Sequence, residues 1–439
     1  MRRLQPYLAV LGVFCLALLV RLTYNLTVGQ GYVASYDAQV YEKIALHLLQ
    51  ERCFCLTPSM PTTGRAPLWP ATIATIYALF GAQNFFVRLF LCVIGAGTCV
   101  LVYLWARAIF GRRTAMMAGV MASFYPGLFL YDGWLYSESL YTFCLLAFSY
   151  TLYRVQKTAG RRWMLLSGVL LGLLSLIRPN GLIVLGLVIL WAVIVATARI
   201  IRWRTAFENI VVISVLTLGI VFPWTVRNFT VSHGQFIPVA TGDGIVLLGA
   251  YNDMVLTDTP FKGIWIRPSL ATPRLFHMYA ACAATCEVQR DIAYKQQAAQ
   301  WMQSHSHTLP YLLGLHMQNM WTPTTPEADL PVNQFPERPL SKLVAGMVTY
   351  LSIPIFLLAA AGLLLTWQQW RHLLFLYLLI ALTIGQCLSF YGSSRFRAPI
   401  EPILVLLAGA ACWWLAQKFT RHRQAHTTEQ LEAGSLLSQ

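Results

Sequence analysis

Charge is what this 439-residue chain has least of: Asp, Glu, Lys and Arg make up 11% of it, against roughly 25% in soluble domains. Beside 57% hydrophobic residues, that deficit excludes an ordinary water-soluble globule. Acid is scarcer still, with 17 Asp and Glu against 32 Lys and Arg. The balance of +15 does not mark a nucleic-acid surface, because the basic residues flank apolar runs instead of gathering on a soluble segment. No P-loop and no dinucleotide glycine fingerprint occurs, which leaves an ATP or soluble nucleotide-sugar site unsupported. Sheet and coiled-coil signatures are missing too. His305 and His307 form a lone H-x-H with no further ligand at zinc spacing, so neither a metal nor a cofactor is expected. No small-x-small cleavage pattern follows the first apolar run, which therefore reads as an anchor and not as a signal peptide.

What is present is a series of apolar runs, each long enough to cross ~30 Å of hydrocarbon as a helix. They lie near residues 6–27, 84–109, 113–130, 136–155, 162–177, 181–200, 208–226, 343–366, 372–391 and 398–417. The pattern predicts an all-α polytopic membrane protein of about ten transmembrane helices. Segment 67–80, "PLWPATIATIYALF", is too short to span and reads as an interfacial or re-entrant helix in the first external loop. The expected organisation is an N-terminal transmembrane module over 1–226 with a first external loop at 28–83, an external loop region at 227–342 carrying amphipathic helices, C-terminal transmembrane helices over 343–417, and a polar, disordered cytoplasmic tail at 418–439.

Orientation follows from the basic residues. With the N-terminus inside, Arg2, Arg3, Arg107, Arg112, Arg113, Arg154, Lys157, Arg161, Arg162, Arg199, Arg202 and Arg204 all fall on the inner side, in short loops. The acids do the reverse: all but Glu208, Glu429 and Glu432 fall outside. A multi-pass protein of the plasma (inner) membrane is expected, with the large loop external. Cys15, Cys92, Cys99, Cys144, Cys387 and Cys412 lie in spans and read as core. Cys53, Cys55, Cys282 and Cys286 are external and permit disulfides. A Cys282–Cys286 bond would strain a helical turn, so pairing with Cys53 or Cys55 is equally open.

The spans show no ionisable residue at mid-depth, so an ion or substrate path through the bilayer is unsupported. Polar groups collect at the outer helix ends. In "SYDAQVYEKIALHLL" (35–49), Val40, Ile44 and Leu48 make one helical face with Tyr41 alongside, and Asp37 stands at its start, where a plain helix cap is the bland reading. Arg65 precedes a Pro-x-x-Pro helix entry in "GRAPLWP" (64–70). "YDGWLYSESLYTF" (131–143) carries Asp132 and Glu138, the latter in a first turn that the helix dipole favours. Arg178 in "LIRPNGL", Arg227 beside Asn228 in "PWTVRNF", and Arg395 with Arg397 in "SSRFRAPIEPIL" all put arginine on the side that the positive-inside rule disfavours. Together they point to an anionic partner, and guanidinium suits phosphate.

In this order and at these spacings, "YDAQVYEKIALHLL", "GRAPLWP", "SESLYTFCLL", "LIRPNGL", "PWTVRNF" and "SSRFRAPIEPIL" resemble the GT-C superfamily of membrane glycosyltransferases. The likeness is to the bacterial protein mannosyltransferase and aminoarabinose transferase (PMT-like) members, and it runs from about Tyr36 to Pro402. Residues 290–323 resemble the loop-helix pair of the same relatives. The resemblance implies a polyprenyl-phosphate sugar donor, chemistry on the extracytoplasmic face, Asp37 as general base and Arg65 near the donor phosphate. Many relatives have Asp-Glu where this chain has Asp37-Ala38; Glu42 or Glu138 is then the candidate second carboxylate.

The chemistry asks for the same parts. Transfer needs a carboxylate to take the acceptor proton and positive charge to stabilise the departing phosphate. The expectation is therefore a hexosyl- or pentosyltransferase that moves a sugar, with inversion, from a polyprenyl-phosphate donor to a hydroxyl of a lipid, glycan or protein acceptor. Asp37 is the expected base and Arg65, Arg178, Arg227, Arg395 and Arg397 the expected phosphate ligands, with Tyr41, Glu42, Asp132, Glu138 and Asn228 as further polar candidates. The bilayer is the other partner. A flippase or transporter of lipid-linked sugar would need broken or charged helices near the midplane or internal repeats. A surface-polysaccharide ligase or polymerase would take a pyrophosphate-linked glycan. A non-catalytic scaffold completes the alternatives.

Overall fold

The computed structural model describes residues 5–158, 160–257, 262–279, 284–323, 334 and 337–436. It is all-α apart from one short hairpin. Helix α1 (Gln5–Thr27) leads into a first loop holding α2 (Tyr36–Gln50), the two-stranded β1 (Cys55–Thr57) and β2 (Met60–Pro61), and α3 (Leu68–Phe80). Then come α4 (Asn84–Phe110), α5 (Arg112–Phe124), α6 (Pro126–Phe129), α7 (Glu138–Thr158), α8 (Arg161–Ile177), α9 (Gly181–Thr197) and α10 (Trp203–Val231). A second large loop holds α11 (Asp243–Ala250), α12 (Pro268–Ala271), α13 (Pro273–Tyr279), α14 (Ala284–Ser304) and α15 (Leu309–Trp321). The chain finishes with α16 (Pro339–Leu365), α17 (Trp370–Ser389), α18 (Ser394–Arg397) and α19 (Glu401–Leu436). This last helix runs on into the segment where a disordered tail was expected. Cys282 lies outside the described residues.

Each of the ten predicted spans coincides with a helix, and the chain is a multi-pass membrane protein. Six helices are long and apolar enough to cross a bilayer by themselves, seven when a bent pair is taken as one span. The bent pair corrects the expectation of one straight span over 113–130. Arg112–Phe124 and Pro126–Gly133 meet at 67°, because Pro126 disfavours the α conformation for Tyr125, which is extended at ψ 116. The bend turns Asp132 back into the bundle. Helix α3, with 13 residues, is ~20 Å long, too short to span.

The bundle core is aromatic and aliphatic, with Trp69, Trp105, Trp134 and Trp191 fully buried. It also holds ion pairs that the spans were not expected to contain. Arg21 of α1 and Asp132 are both fully buried, and Arg21 Nε donates to Asp132 at 2.7 Å. Arg88 of α4 donates to Asn25 Oδ1 and to the Gly29 and Asn25 carbonyls. These arginines escape a count of loop charges because they sit inside helices and spend their donors on neighbours. Gly95 makes room for the pair, since a Cβ there would collide with Asp132 and Arg21.

Cys53 is disulfide-bonded to Cys55, with Cα atoms 5.2 Å apart, and Cys286 is free. The pairing thus falls within the first loop and does not link the two loops.

Candidate active site

The two large loops fold onto the same end of the bundle and meet beside Asp37. Helix α2 starts after Ser35, so Asp37 is in its first turn and is not its cap. Its carboxylate is used elsewhere. Arg65, in the approach to α3, donates from Nη2 to Asp37 Oδ1 at 2.9 Å. Arg395 of α18 places Nη2 2.9 Å from Asp37 Oδ2. The Arg395 Nε donates to Glu138 Oε1, and Arg178 Nη2 lies 2.5 Å from that same oxygen. The result is one unbroken chain of charges: Arg65, Asp37, Arg395, Glu138, Arg178. It draws on five separate stretches of sequence, from residue 37 to residue 395.

Aromatic rings hold the guanidiniums. Arg395 lies 4.1 Å from the centre of the Tyr136 ring, Arg178 5.7 Å from Tyr141, and Arg65 5.9 Å from Tyr41. Arg178 Nε also donates to Ser137 Oγ at 2.8 Å. Glu138 is 1% exposed, and its Oε2 has no partner. Asp37 is 34% exposed and open to a reactant. Burial pushes the Asp37 carboxyl up, but Arg395 and Arg65 outweigh it and hold the group down to about 2. Burial and the nearby Asp37 push the Tyr41 phenol up. Immediately before Asp37, Tyr36 adopts φ 52, a left-handed conformation that costs a bulky residue on the order of 1–3 kcal/mol. The Arg267 guanidinium, from the second loop, covers its ring at 5.0 Å.

Two clefts flank this row. One has more charged groups in its lining, with Arg65, Thr62, Thr241, Glu287, Arg290 and Tyr294 beside the apolar Val40 and Ile44. The other is mainly apolar and opens beside Arg178, with Leu145, Val184, Leu379, Leu382 and Phe390 as walls and Asp243 at its rim. Helix α11 stands between them, giving Ile245 to the first and Val246 to the second. One end of the charge row therefore faces each cleft.

Several expected site residues lie elsewhere. Arg227 spends its guanidinium on the Thr62 and Phe54 carbonyls, at 2.7 and 3.2 Å, and on Asn228 Oδ1, and it stacks on Trp224 at 4.7 Å. Asn228 is buried and donates to the Ile237 and Val239 carbonyls. Both residues fasten loops to the end of α10. Arg397 is 3% exposed, pairs with Glu401 at 2.5 Å and donates to the Thr322 carbonyl, so it is a buried strut. Asp132 belongs to the Arg21 pair. Glu42 accepts from Tyr77 at 3.3 Å on the face of α2 that meets α3. The second carboxylate of the row is thus Glu138.

The sequence reading expected a helix here but singled out none of the charged residues of α14. Its Glu287 accepts from Thr62 Oγ1, the Thr63 N–H and Thr63 Oγ1 at 2.7, 2.7 and 2.9 Å. One turn on, Asp291 accepts from the Gly242 and Gly244 N–H groups and pairs with Lys295 at 2.6 Å. The spacing Glu287, Asp291, Lys295 on one helical face was the available signal. His305 lies 3.8 Å from Asp253, and no group of potential metal ligands occurs among the described residues.

Residues 64–226 match the family model described as dolichyl-phosphate-mannose-protein mannosyltransferase. The likeness to that family is thus confined to this stretch of a multi-pass membrane protein. No protein of curated function matches it in sequence. Among solved structures, the chain is similar to the oligosaccharyltransferase AglB of Archaeoglobus fulgidus in complex with an inhibitory peptide and a dolichol-phosphate, at TM-score 0.56 and 14% identity over 97% of this chain and 52% of that one. A structure of the oligosaccharyltransferase of that organism with zinc and sulfate gives TM-score 0.55 and 13% identity over 94% and 49%. ArnT of Cupriavidus metallidurans bound to undecaprenyl phosphate gives 0.43 and 15% over 92% and 77%. At these identities the oligosaccharyltransferase likeness is one of fold. The chain spans about half the length of the archaeal oligosaccharyltransferase chains it matches. Arg65, Glu138 and Arg178 fall inside the matched stretch; Asp37 and Arg395 fall outside it.

Proposed function

We propose that the protein is a membrane glycosyltransferase that moves a sugar from a polyprenyl-phosphate donor to an acceptor hydroxyl on the extracytoplasmic face. One observation carries this reading: a half-open carboxylate, Asp37, stands in a row of arginines between a mainly apolar cleft and one with more charged groups in its lining. The apolar cleft suits an isoprenoid tail, and Arg178 at its edge suits the phosphate. Arg395 then stands next to the phosphate, and Arg65, expected on the donor side, faces the acceptor instead. The dolichol-phosphate bound to AglB supports a polyprenyl phosphate here.

Charge supports the same assignment. Three guanidiniums face two carboxylates along the row, leaving one positive charge for the single negative charge of a phosphodiester. As the sugar–phosphate bond breaks, negative charge grows on the leaving phosphate, where Arg178 and Arg395 offset it. Asp37 takes the proton of the acceptor hydroxyl as its oxygen attacks the anomeric carbon. Attack opposite the leaving phosphate inverts that carbon.

The test supplies the purified chain, in nanodiscs, with radiolabelled polyprenyl-phosphate hexoses and pentoses and with the matching nucleotide sugars and pyrophosphate-linked glycans. Transfer from a polyprenyl-phosphate sugar, with an inverted product, is expected. Transfer only from a pyrophosphate-linked glycan would make the protein a ligase or polymerase instead.

A further inference from the structure

Among the described residues, the cleft beside Arg65 holds one guanidinium that makes no direct contact with a protein partner. Asp37 is held by Arg65 and Arg395. Asp291 has Lys295 and two backbone N–H groups. Glu287 has three donors from Thr62 and Thr63 and lies within the electrostatic reach of Arg227. Arg290, one turn along α14 from Glu287, lines the same cleft and makes no hydrogen bond, ion pair or ring contact. It is half-buried. Solvent still reaches its nitrogens, and a guanidinium that lines a cleft with all its donors unspent is placed to take a ligand with anionic oxygens.

The geometry points to an anion-reading subsite for the acceptor, with Arg290 binding a phosphate or carboxylate group carried near the hydroxyl that reacts. This rests on the reading of the row as a transferase site, and it narrows the acceptor to an anionic molecule. The walls sharpen the class. Val40, Ile44, Leu56 and Ile245 line the same cleft, which suits an acceptor that places apolar surface beside its anion. Thr241 and Tyr294 supply hydroxyls along the way. Arg290 does not touch the reacting atoms; it fixes specificity, while Asp37 and Arg65 at the inner end of the cleft face the hydroxyl.

The experiment uses the full chain in phosphatidylcholine nanodiscs. Binding of inorganic phosphate, of lysophosphatidic acid and of polyprenyl phosphate is measured for wild type, Arg290→Gln and Arg290→Lys, each beside its thermal midpoint. Arg290→Gln is expected to weaken both small probes about tenfold or more and to leave polyprenyl phosphate and the midpoint unchanged. Arg290→Lys is expected to restore most of the loss. An Arg290 effect on both probes supports a subsite for any phosphate group, and an effect on lysophosphatidic acid alone supports a lipid headgroup. Equal binding by wild type and Arg290→Gln overturns the proposal, as does phosphate that competes with polyprenyl phosphate and depends on Arg178. Failure of the wild type to bind polyprenyl phosphate, with the Arg290 effect intact, would overturn the donor reading and leave the anion subsite standing.

Discussion

Arg395 holds two carboxylates at once: its Nη2 lies 2.9 Å from Asp37 Oδ2, and its Nε donates to Glu138 Oε1. Only a planar fork can serve both. Lysine, a single point charge, reaches one. Arg395→Lys is therefore expected to fold but to transfer sugar at least tenfold more slowly. Arg395→Ala leaves Glu138 with Arg178 alone, and breaking a buried pair costs about 3–5 kcal/mol. Arg395→Ala and Glu138→Gln together should cost less than the two single losses summed, because the pair they share is lost only once. Thermal unfolding of both single variants and the double variant in detergent checks this, and strictly additive losses would deny the coupling.

The membrane character and the ten helical segments were legible in the sequence because hydrophobic length is a local property. The charge row was legible only as a set. Asp37, Arg65, Arg178 and Arg395 each stood out as polar groups at helix ends, and Glu138 was named beside them, but which arginine meets which carboxylate depends on loop folding. Arg227 and Arg397 carried the same local signal as Arg395 but donate to backbone carbonyls, and carbonyls that capture a guanidinium leave no trace in sequence. Arg21 was hidden for the opposite reason: its partner Asp132 is more than a hundred residues away, beyond a bend that Pro126 imposes.

The strut assignment separates the arginines experimentally. Arg227 donates to the Thr62 and Phe54 carbonyls, so Arg227→Gln should lower the thermal midpoint and leave polyprenyl-phosphate affinity within about twofold of wild type. Arg178→Gln should do the reverse, weakening that affinity about tenfold or more. A titration of both variants with polyprenyl phosphate decides between the roles. A tenfold loss in Arg227→Gln at unchanged stability would return Arg227 to the phosphate site.

Gly95 tests the buried pair in the bundle. A methyl group there would collide with Asp132 and Arg21, two fully buried ions that cannot retreat to water. Gly95→Ala should therefore lose about 3–5 kcal/mol, the range for breaking a buried ion pair. Gly186, in α9, has open space around its Cβ position, and Gly186→Ala is the control. It should be neutral or slightly stabilising, because alanine favours a helix. Equal unfolding midpoints for the two variants would show that the bundle at Gly95 is looser than its packing indicates.

The pH profile follows from the arginines. The Asp37 carboxyl, at about 2, lies below its unfolded value of about 3.9. A depressed carboxyl adds stability that is fully present above the unfolded value and is lost as pH falls from about 4 towards 2. Between pH 5 and 8 Asp37 stays ionised, and no acid limb of transfer in that window belongs to it. Single-turnover rates across this range should be flat on the acid side. Arg65→Gln removes one of the three charges that hold the group down, beside Arg395 and Arg178, and should move its titration upwards. A limb near pH 6 in wild type, unmoved by Arg65→Gln, would assign the titrating base to another residue.

Asp37 carries the largest claim, and Asp37→Asn is the sharpest test of it. The side chain does not cap α2, so the exchange costs the helix no cap. Asparagine keeps the shape and one acceptor oxygen, but it offers Arg65 and Arg395 a neutral partner. Two effects must then be told apart. Loss of charge loosens the two guanidiniums and lowers stability modestly, since Asp37 is 34% exposed and solvent screens such pairs. Loss of the proton acceptor should slow transfer by ~10²–10⁴-fold. Donor binding should hold or tighten, because the freed Arg395 guanidinium remains next to the phosphate. The measurement is single-turnover transfer from radiolabelled polyprenyl-phosphate sugar, beside donor affinity and the thermal midpoint. A rate that falls only with donor affinity would make Asp37 an organiser of arginines. A near-wild-type rate would remove it from the chemistry and leave Glu138, with its unpartnered Oε2, as the carboxylate to test next.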